Sequence, residues 1–229
     1  MMKETSKALS RRLHLPDFAT HYFVGQGLDI GGAADPIGQY GEVLPGMKAS
    51  RVWDLPDGDP QYLTGLADNT FDFIHASHML QRMPDPREAL RHWFRVLKPG
   101  GHMILLVPDE DMYEQGFWPS RYNHDNRWTF TVFKAKSWSP VSLNLIEVIQ
   151  VLGALADIRR MDVLGGSYRH GLPRFDQTLT PVAESAIELV IRKRPQDEAV
   201  AGGRINPDGR MTPADVYILT GLKVEAPRT

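Results

Sequence analysis

The sequence predicts an α/β protein built on a doubly wound, mostly parallel sheet of about six to seven strands. Short apolar runs alternate with amphipathic stretches along the chain, which is the pattern of strands joined by helices. One run, HMILLV at residues 102–107, is apolar throughout, as expected for a strand that helices cover on both faces. Such doubly covered strands are typical of a parallel sheet.

The clearest unit is a predicted β-α-β crossover, which opens with a strand at residues 71–76. Asp85 and Pro86 then supply a helix cap and a first helical residue, and Glu88 is placed to reach back to the cap amide. Apolar residues follow at the spacing of one helix face: Leu90, Trp93, Phe94 and Leu97. The Pro-Gly-Gly sequence at residues 99–101 ends this helix before the apolar strand.

The other elements follow from shorter patterns. Residues 27–30 predict a strand that runs into Gly31 and Gly32, and a helix is expected from Ser139 to about Leu155. Three further runs predict strands: residues 50–55, 157–163 and 186–192.

The domain boundary is predicted near residue 194. Residues 1–194 are expected to form one domain, with an acceptor-binding insertion around residues 109–140. Residues 195–229 are polar and interrupted by Gly and Pro, which is typical of a flexible or docking tail. Within this tail, residues 214–222 form a short amphipathic stretch that could dock on the body or on a partner.

Composition narrows the classes of function. The chain has 229 residues, a formal net charge of −2 and no cysteine, so we expect one hydrophobic core, no disulfide and no thiol chemistry. The near-neutral charge argues against binding of nucleic acid, which needs a basic face. The polar N-terminal stretch and the lack of a long apolar run predict no signal peptide and no membrane span, hence a cytoplasmic protein. A homodimer is compatible with these features.

The glycine turn after the first strand limits the ligand. The run GGAADPIG does not match the spacing of a dinucleotide fingerprint, and it lacks the Gly-Lys-Ser/Thr of a phosphate loop. Asp29 at the strand end suits a positively charged ligand such as S-adenosylmethionine, which carries a sulfonium and an ammonium group. The alternative is a plain turn between a strand and a loop.

Three segments in this order resemble the class I S-adenosylmethionine-dependent methyltransferases, in particular their type 11-like branch: GLDIGGA, LADNTFDFIHASHML and FRVLKPGGHMILLVP. The resemblance spans residues 27–108. The following segment, VPDEDMYEQGFWPSRYNHDNRWTF, resembles bacterial members associated with surface-glycan pathways. The resemblance implies a Rossmann-like fold, S-adenosylmethionine as cofactor, and transfer of a methyl group to a small polar acceptor such as a hydroxyl of a sugar or nucleotide sugar.

The same resemblance implies roles for individual residues. Asp29, Gly31 and Gly32 would hold the methionine end of the cofactor, and Asp54 its ribose hydroxyls. Three more residues complete the predicted cofactor site, two at the adenine edge and one near the methyl group: Asp59, Gln61 and Ser77. The chain departs from the family because the usual third glycine is missing.

The closeness of Asp54 and Asp59 is a second departure from the family pattern. It suggests that a helix and a strand normally between them are shortened. A capping or turn role is the alternative for Asp54, Asp57 and Asp59.

A hydroxyl acceptor has to lose a proton, which calls for a base. His78 is the first candidate, because imidazole titrates near neutral pH and the carboxyl end of its strand faces the cofactor, whereas His75 is expected to point elsewhere. A hydrogen-bonded supporting role is the alternative, and Leu80-Gln81-Arg82 replaces the Leu-Glu-His found in related sequences. His124, next to Asp125, is the second candidate.

The insertion at residues 109–140 is rich in aromatic and basic residues and is expected to recognise the acceptor. Its rings could stack on a sugar or a base: Tyr113, Trp118, Tyr122, Trp128 and Trp138. Its cations could meet phosphate or carboxylate: Arg121, Arg127 and Lys134. The alternative is a loop anchored by its own aromatic residues.

Three other hypotheses stay open or are set aside. An apolar pocket in the insertion would favour an N- or O-methyltransferase of a secondary metabolite. A catalytically silent cofactor-binding subunit that docks through residues 194–229 is a third possibility. Metal ligation is not expected, because no known ligand spacing supports the set His75, His78, Asp109 and Asp111.

Overall fold

The computed structural model describes residues 4–203, and its centre is a six-stranded sheet. The strands are β1 (Gly25–Ile30), β2 (Met47–Trp53), β3 (Phe71–Ser77), β4 (Leu97–Pro108), β5 (Thr129–Thr131), β6 (Ser142–Asn144), β7 (Ala156–Leu164) and β8 (Ala186–Lys193). The helices are α1 (Glu4–Arg12), α2 (Pro86–Val96), α3 (Leu145–Ile149) and α4 (Gln196–Val200). The central sheet has the order β2-β1-β3-β4-β8-β7, and β5 pairs with β6 in a separate small sheet.

The central sheet is mostly parallel. The pairs β2-β1, β1-β3 and β3-β4 are parallel, whereas β8 is antiparallel to both β4 and β7. The predicted doubly wound α/β fold is therefore confirmed. The chain passes from β2 to β3 with one short helical turn at Leu55–Asp57 and no strand between, as the closeness of Asp54 and Asp59 suggested.

Apolar side chains cover both faces of this sheet. Trp93 of α2 is fully buried in the larger cluster, where it packs with residues of α3. Its indole nitrogen donates a 2.7 Å hydrogen bond to the carbonyl of Pro60, so this buried polar atom is satisfied. Phe18 and Phe23 lie on the opposite face, together with Phe73 of β3. The two clusters leave the ends of the strands as the places where a ligand can bind.

Helix α2 begins as predicted, with one difference at its cap. The Asp85 side chain accepts hydrogen bonds from the amides of Arg87 (2.8 Å) and Glu88 (3.2 Å), which is the expected capping role. The Asp85 amide, however, donates to Gln61 Oε1 at 2.8 Å. Glu88 instead pairs with Arg91 at 2.8 Å, so a residue distant in sequence supplies the acceptor that we had expected within the helix.

The expected helix from Ser139 to Leu155 is interrupted at its start. The first residues form β6, because their backbone pairs with β5, and the sequence periodicity shows no sign of this pairing. Helix α3 follows, and a tighter helical segment at Gln150–Leu155 leads to β7. This pairing ties the insertion at residues 109–140 to the helical layer.

The chain separates between Arg194 and Pro195 into two compact units. The described part of the second unit contains α4. The amphipathic stretch that we predicted at residues 214–222 lies outside the described residues. Among residues 4–203, no helix combines the length and apolar character that crossing a membrane requires.

Candidate active site

The glycine turn that follows β1 lies at the carboxyl edge of the sheet. Gly31 has a φ of 73°, a left-handed conformation that favours glycine, and its amide donates a 2.8 Å hydrogen bond to the carbonyl of Trp53 at the end of β2. A side chain at Gly31 would collide with the Met79 thioether. Because Gly31 has no side chain, another group can approach the backbone of the turn closely. In this structure the Met79 side chain occupies that space.

Asp29 supports this turn from below. Its carboxylate is buried, with Oδ1 located 2.7 Å from His75 Nδ1 and Oδ2 accepting a 2.7 Å hydrogen bond from the Ile37 amide. A side chain on Gly32 would collide with the same carboxylate. Both oxygens of Asp29 thus bind protein groups, and direct contact with a cofactor remains a prediction for this residue. His75 is fully buried between Asp29 and Arg12.

The three predicted residues after β2 form the hydrogen bonds of a turn. Asp54 Oδ1 accepts from the Leu55 amide at 2.9 Å, and Asp59 Oδ1 accepts from the Gln61 amide at 2.8 Å. The Gln61 side chain is buried against the cap of α2. Asp54 directly follows Trp53, and Trp53 pairs with Ile30 of β1. Asp54 is therefore the predicted carboxylate that lies beside the glycine turn. These bonds match the capping alternative, and the cofactor roles remain predictions.

Ser77 and His78 stand at the end of β3. Ser77 Oγ and His78 Nε2 are buried and make no hydrogen bond to the described residues. His78 has a left-handed φ of 53°, a conformation that costs about 1–3 kcal/mol for a non-glycine residue and is often found at functional sites. Burial and the nearby cations Lys7 and Arg82 lower its pKa to about 3. The imidazole is therefore neutral near pH 7, and it is a weaker base than we expected from its position.

A buried glutamate, Glu114, lies in the helical turn at Glu110–Glu114 that follows β4, and sequence patterns did not single it out. Its side chain is 2% exposed, with Oε1 accepting a 3.0 Å hydrogen bond from Asn126 Nδ2. Oε2 is buried and accepts no hydrogen bond from the described residues. Burial raises the pKa of Glu114 above its ordinary value of 4.5. No local motif marks this residue, because its burial depends on how the insertion folds over it.

The surroundings of Tyr113 show that these groups share one region. Burial and the charges of Asp176, Glu114 and Glu4 raise the pKa of Tyr113, while Arg82 lowers it. Glu4 Oε2 in turn lies 3.7 Å from His78 Nε2. The end of β3, the turn after β4 and helix α1 therefore converge at this edge. We call this region the edge chamber, defined by Glu4, His78, Arg82, Tyr113, Glu114 and Asp176.

Helix α1, which our sequence analysis did not predict, covers the same edge. The Ser6 amide donates a 2.8 Å hydrogen bond to Asp35 Oδ2, just beyond the glycine turn, and Tyr40 donates to Asp35 Oδ1 at 2.6 Å. Lys7 Nζ donates to the carbonyl of Thr178 at 2.7 Å. Asp35 thus anchors the helix.

A buried chain of charged groups fixes the other end of α1. Arg12 Nε donates to Glu188 Oε1 at 2.8 Å, and Arg12 Nη1 lies 3.3 Å from His75 Nε2. Arg11 reaches the other Glu188 oxygen at 2.8 Å and also Glu184 at 2.7 Å. Through His75 this chain meets the Asp29 carboxylate below the glycine turn. Helix α1 and the glycine turn are therefore linked by direct side-chain contacts.

The insertion at residues 109–140 is organised by Glu110, which is fully buried. Four side chains donate hydrogen bonds to its carboxylate, at 2.5 to 3.1 Å: Thr129, Lys134, Ser137 and Ser142. Lys134 also pairs with Asp111 at 2.6 Å, so two carboxylates neutralise this predicted phosphate ligand. The Trp128 indole donates to the carbonyl of Met83 at 2.9 Å. Part of the insertion is thus anchored by its own side chains, as in our alternative hypothesis.

Trp138 and three other residues of the insertion border an open cavity of about 330 Å³, together with residues of the loop between β7 and β8. Its lining is mostly polar: Asp111, Gln115, Gly116, Trp138, Tyr168, His170, Leu172 and Arg174. The Trp138 indole donates to Asp111 Oδ1 at 2.9 Å, and its side chain is 39% exposed. This lining does not match the apolar pocket that a secondary-metabolite acceptor would favour.

The second predicted base, His124, is exposed. Its ring makes no hydrogen bond to Asp125 or to another residue in the described part of the chain, and the Asp125 amide donates to Asn123 Oδ1 at 3.1 Å. The structure therefore does not bring His124 into the edge chamber, and its catalytic role remains a prediction. Within residues 4–203 no group of three His, Asp or Glu side chains is arranged to hold a metal ion.

Comparison with known proteins identifies the family. A family model described as a methyltransferase domain matches residues 15–153. The chain is 36% identical over 89 residues to the demethylmenaquinone methyltransferase of Lactiplantibacillus plantarum, which covers 38% of this chain and 36% of that protein. It is 47% identical over 47 residues to the ubiquinone/menaquinone biosynthesis C-methyltransferase UbiE of Cronobacter sakazakii, covering 20% of this chain and 19% of that protein. The chain thus spans less than two fifths of the length of these curated relatives.

A solved structure agrees on the fold. The S-adenosylmethionine-dependent methyltransferase of Archaeoglobus fulgidus superposes with a TM-score of 0.50 at 14% sequence identity, covering 83% of this chain and 94% of that one. Gly31 and Gly32 have no side chain to block a close approach to the turn, and Asp54 and Ser77 remain the residues predicted to hold the cofactor. The chain belongs to the methyltransferase-domain family, and it carries an S-adenosylmethionine-dependent methyltransferase domain of the class I fold.

Proposed function

We propose that this protein transfers a methyl group from S-adenosylmethionine to a hydroxyl of a small polar acceptor, a sugar or a nucleotide sugar. The observation that carries the proposal is a set of buried polar atoms at the carboxyl edge that make no hydrogen bond to the described residues: Ser77 Oγ, Arg82 Nε and Glu114 Oε2. A buried polar atom left unpaired costs about 1–3 kcal/mol. Several such atoms in one region favour a ligand with hydroxyl groups over an apolar one.

The roles of the cofactor residues extend this proposal. S-adenosylmethionine supplies a methyl group on a positively charged sulfur, and that sulfur keeps the electron pair of the broken bond. Gly31 and Gly32 allow the backbone to approach the methionine end, with Asp29 fixing the turn below them. Asp54 binds the ribose, Asp59 and Gln61 border the adenine, and Ser77 lies near the methyl group. Met79 has to move from its position over Gly31 to admit the ligand.

The structure favours Glu114 over His78 as the base. A base works best when its pKa is near the working pH, and burial moves the pKa of Glu114 upward while it lowers that of His78 to about 3. Glu114 Oε2 accepts the proton of the acceptor hydroxyl, and the oxygen lone pair forms the bond to the methyl carbon. His78 then serves as a neutral hydrogen-bonding group in the edge chamber.

A second candidate rests on the curated relatives. One relative is named as a demethylmenaquinone methyltransferase and another as a ubiquinone/menaquinone biosynthesis C-methyltransferase, which suggests a quinone acceptor methylated at carbon. The polar lining of the 330 Å³ cavity argues against such an acceptor here. The surface-glycan association, the cytoplasmic location and a homodimer remain predictions alongside the preferred function.

Calorimetric titration tests the proposal that the protein binds S-adenosylmethionine. S-adenosylhomocysteine is expected to bind, and NAD is not. Binding of NAD alone would reject the proposal. Binding of S-adenosylhomocysteine without transfer to any acceptor would favour the silent-subunit hypothesis.

The base is tested with Glu114→Gln, and Glu147→Gln, an exposed glutamate of α3, is the matched control. Turnover of Glu114→Gln should fall about 100-fold or more, in the range of general-base catalysis, while S-adenosylhomocysteine affinity stays within about twofold. In the unsubstituted protein turnover should rise with pH through the raised pKa of Glu114, and this rise should vanish in the variant. If His78→Ala removes the rise and Glu114→Gln keeps it, the assignment reverts to His78.

A further inference from the structure

Two arginines share one aromatic ring beside the polar cavity. The guanidinium carbon of Arg121 lies 3.3 Å from the centroid of the Phe117 ring, and that of Arg174 lies 4.5 Å from it. Arg121 belongs to the insertion, whereas Arg174 belongs to the loop between β7 and β8. The fold thus brings two cations from distant segments to one place. We call them the Arg121–Arg174 pair.

The positive charge of this pair is not neutralised within the described residues. Neither arginine has a carboxylate within 4.0 Å in that part of the chain, in contrast to Lys134, which contacts Glu110 and Asp111 at 2.8 and 2.6 Å. Two like charges on one ring repel each other unless an anion lies between or beside them. The cation–π contacts orient the guanidinium groups but leave their N–H donors available.

Arg174 connects this pair to the cavity. It lines the cavity together with Trp138, Tyr168 and His170, and a cavity of about 330 Å³ is near the lower limit of small-molecule sites, which is roughly 300 Å³. The Trp138 indole nitrogen is held by Asp111, which fixes the ring while leaving part of it exposed. Lys134 is shared by Glu110 and Asp111, so these three groups leave one negative charge. The two positive charges of the Arg121–Arg174 pair exceed it.

We propose that this cavity is the subsite for a phosphorylated sugar, with the Arg121–Arg174 pair binding the phosphate and Trp138 stacking on the sugar ring. Guanidinium groups bind phosphate oxygens through paired N–H donors, and exposed tryptophan faces pack on the apolar face of a sugar. The inference rests on the proposed function, because it makes the phosphate group the feature that selects the acceptor. Sugar 1-phosphates and nucleoside diphosphate sugars share this chemistry.

Calorimetric titration of the full-length chain tests the subsite with three probes: UDP-glucose, glucose 1-phosphate and uncharged methyl glucoside. The phosphorylated probes should bind, and their affinity should fall as salt rises. Arg174→Ala and Arg121→Ala should each weaken them about tenfold or more. Arg91→Ala, an exposed arginine of α2, is the matched control and should match the wild type. Stronger binding of UDP-glucose than of glucose 1-phosphate identifies a nucleotide sugar, and the reverse identifies a sugar phosphate.

Trp138→Ala separates the two halves of the subsite. It should weaken glucose 1-phosphate while leaving the affinity for inorganic phosphate unchanged. Unaltered affinity of the phosphorylated probes in both arginine variants, or equal binding of methyl glucoside, would overturn the inference. The S-adenosylhomocysteine titration distinguishes the two proposals. If that compound binds and no phosphorylated probe does, only the subsite is wrong, whereas arginine-dependent phosphate binding without any methyl transfer supports the subsite and rejects the proposed function.

Discussion

Glu188 is the centre of the charge network that holds α1 against the sheet, and its replacement tests that network. The carboxylate is 0% exposed and accepts hydrogen bonds from Arg12 Nε at 2.8 Å and from Arg11 Nη1 at 2.8 Å. Burial alone would raise its pKa, but the two guanidinium groups outweigh burial and lower the pKa from 4.5 to about 2. The ionised carboxylate is therefore strongly favoured in the folded state.

The size of the effect follows from this lowering of the Glu188 pKa. A pKa difference of one unit between the folded and unfolded states corresponds to about 1.4 kcal/mol. Ionisation of Glu188 therefore contributes roughly 3 kcal/mol to the free energy of unfolding. Because the folded-state pKa is depressed, this stability is present above pH 4.5 and is lost as the pH falls from 4.5 to about 2. Glu188→Gln should cost about 3–5 kcal/mol at pH 7, because it also leaves the buried charge of Arg12 uncompensated.

Urea unfolding followed by circular dichroism measures both the pH dependence of stability and the cost of the substitution. The measurement is repeated at several pH values between 2.5 and 7, on the order of one unit apart. The wild type should lose stability as the pH falls through this window, and Glu188→Gln should lose less. Glu184→Gln is the matched control, since Glu184 binds Arg11, whose side chain is 25% exposed, whereas Glu188 also binds the fully buried Arg12; the control should therefore cost less. Equal stabilities of the Glu188→Gln and Glu184→Gln proteins at pH 7 would refute the argument that the buried Arg12 makes the network strong.

Three further predictions concern the turn, the helix cap and the anchor of α1. Gly31→Ala should lower stability by about 1–3 kcal/mol and weaken S-adenosylhomocysteine binding, because it forces a left-handed φ on alanine and pushes against Met79; an unchanged melting temperature would contradict this. Asp85→Ala removes the cap of α2 and should cost about 1 kcal/mol, seen as a melting temperature roughly 2–4 °C lower. Ser6→Ala removes a hydroxyl donor to Asp35 and should speed amide exchange in α1, whereas exchange in β3 should not change.

The parts of the fold that local patterns determine could be predicted from the sequence. The β-α-β unit was predictable because its cap, apolar stripe and stop signal all lie within one segment, and Asp85 does cap α2. Strand β6 could not be predicted, since it exists only through pairing with β5. Helix α1 was missed for a related reason. Its buried residues include Lys7 and Arg12, whose charges look solvated in the sequence. Arg12 pairs with the distant Glu188, and Lys7, besides pairing with Glu4, donates to the distant carbonyl of Thr178.

The candidate site likewise contains residues that the local sequence could place and residues whose roles depend on distant partners. The glycine turn and Asp29 could be placed from the residues that surround them in sequence. The roles of Gln61 and Lys134 could not, because their partners Asp85 and Glu110 are brought to them by the fold. Asp35 was visible in the sequence just after the glycine turn, but its contact with Ser6 requires α1 to lie over the edge.

The choice between His78 and Glu114 shows why burial decides catalytic roles that residue type alone cannot. An imidazole is the better base in water near neutral pH, since its ordinary pKa of 6.5 exceeds the 4.5 of a glutamic acid. Burial penalises whichever form is charged, so it lowers the pKa of a histidine and raises that of a glutamate. At the carboxyl edge of this sheet both side chains are enclosed, and the two shifts reverse their order of basicity. In the proposed function, the same desolvation therefore favours Glu114 over His78 as the base.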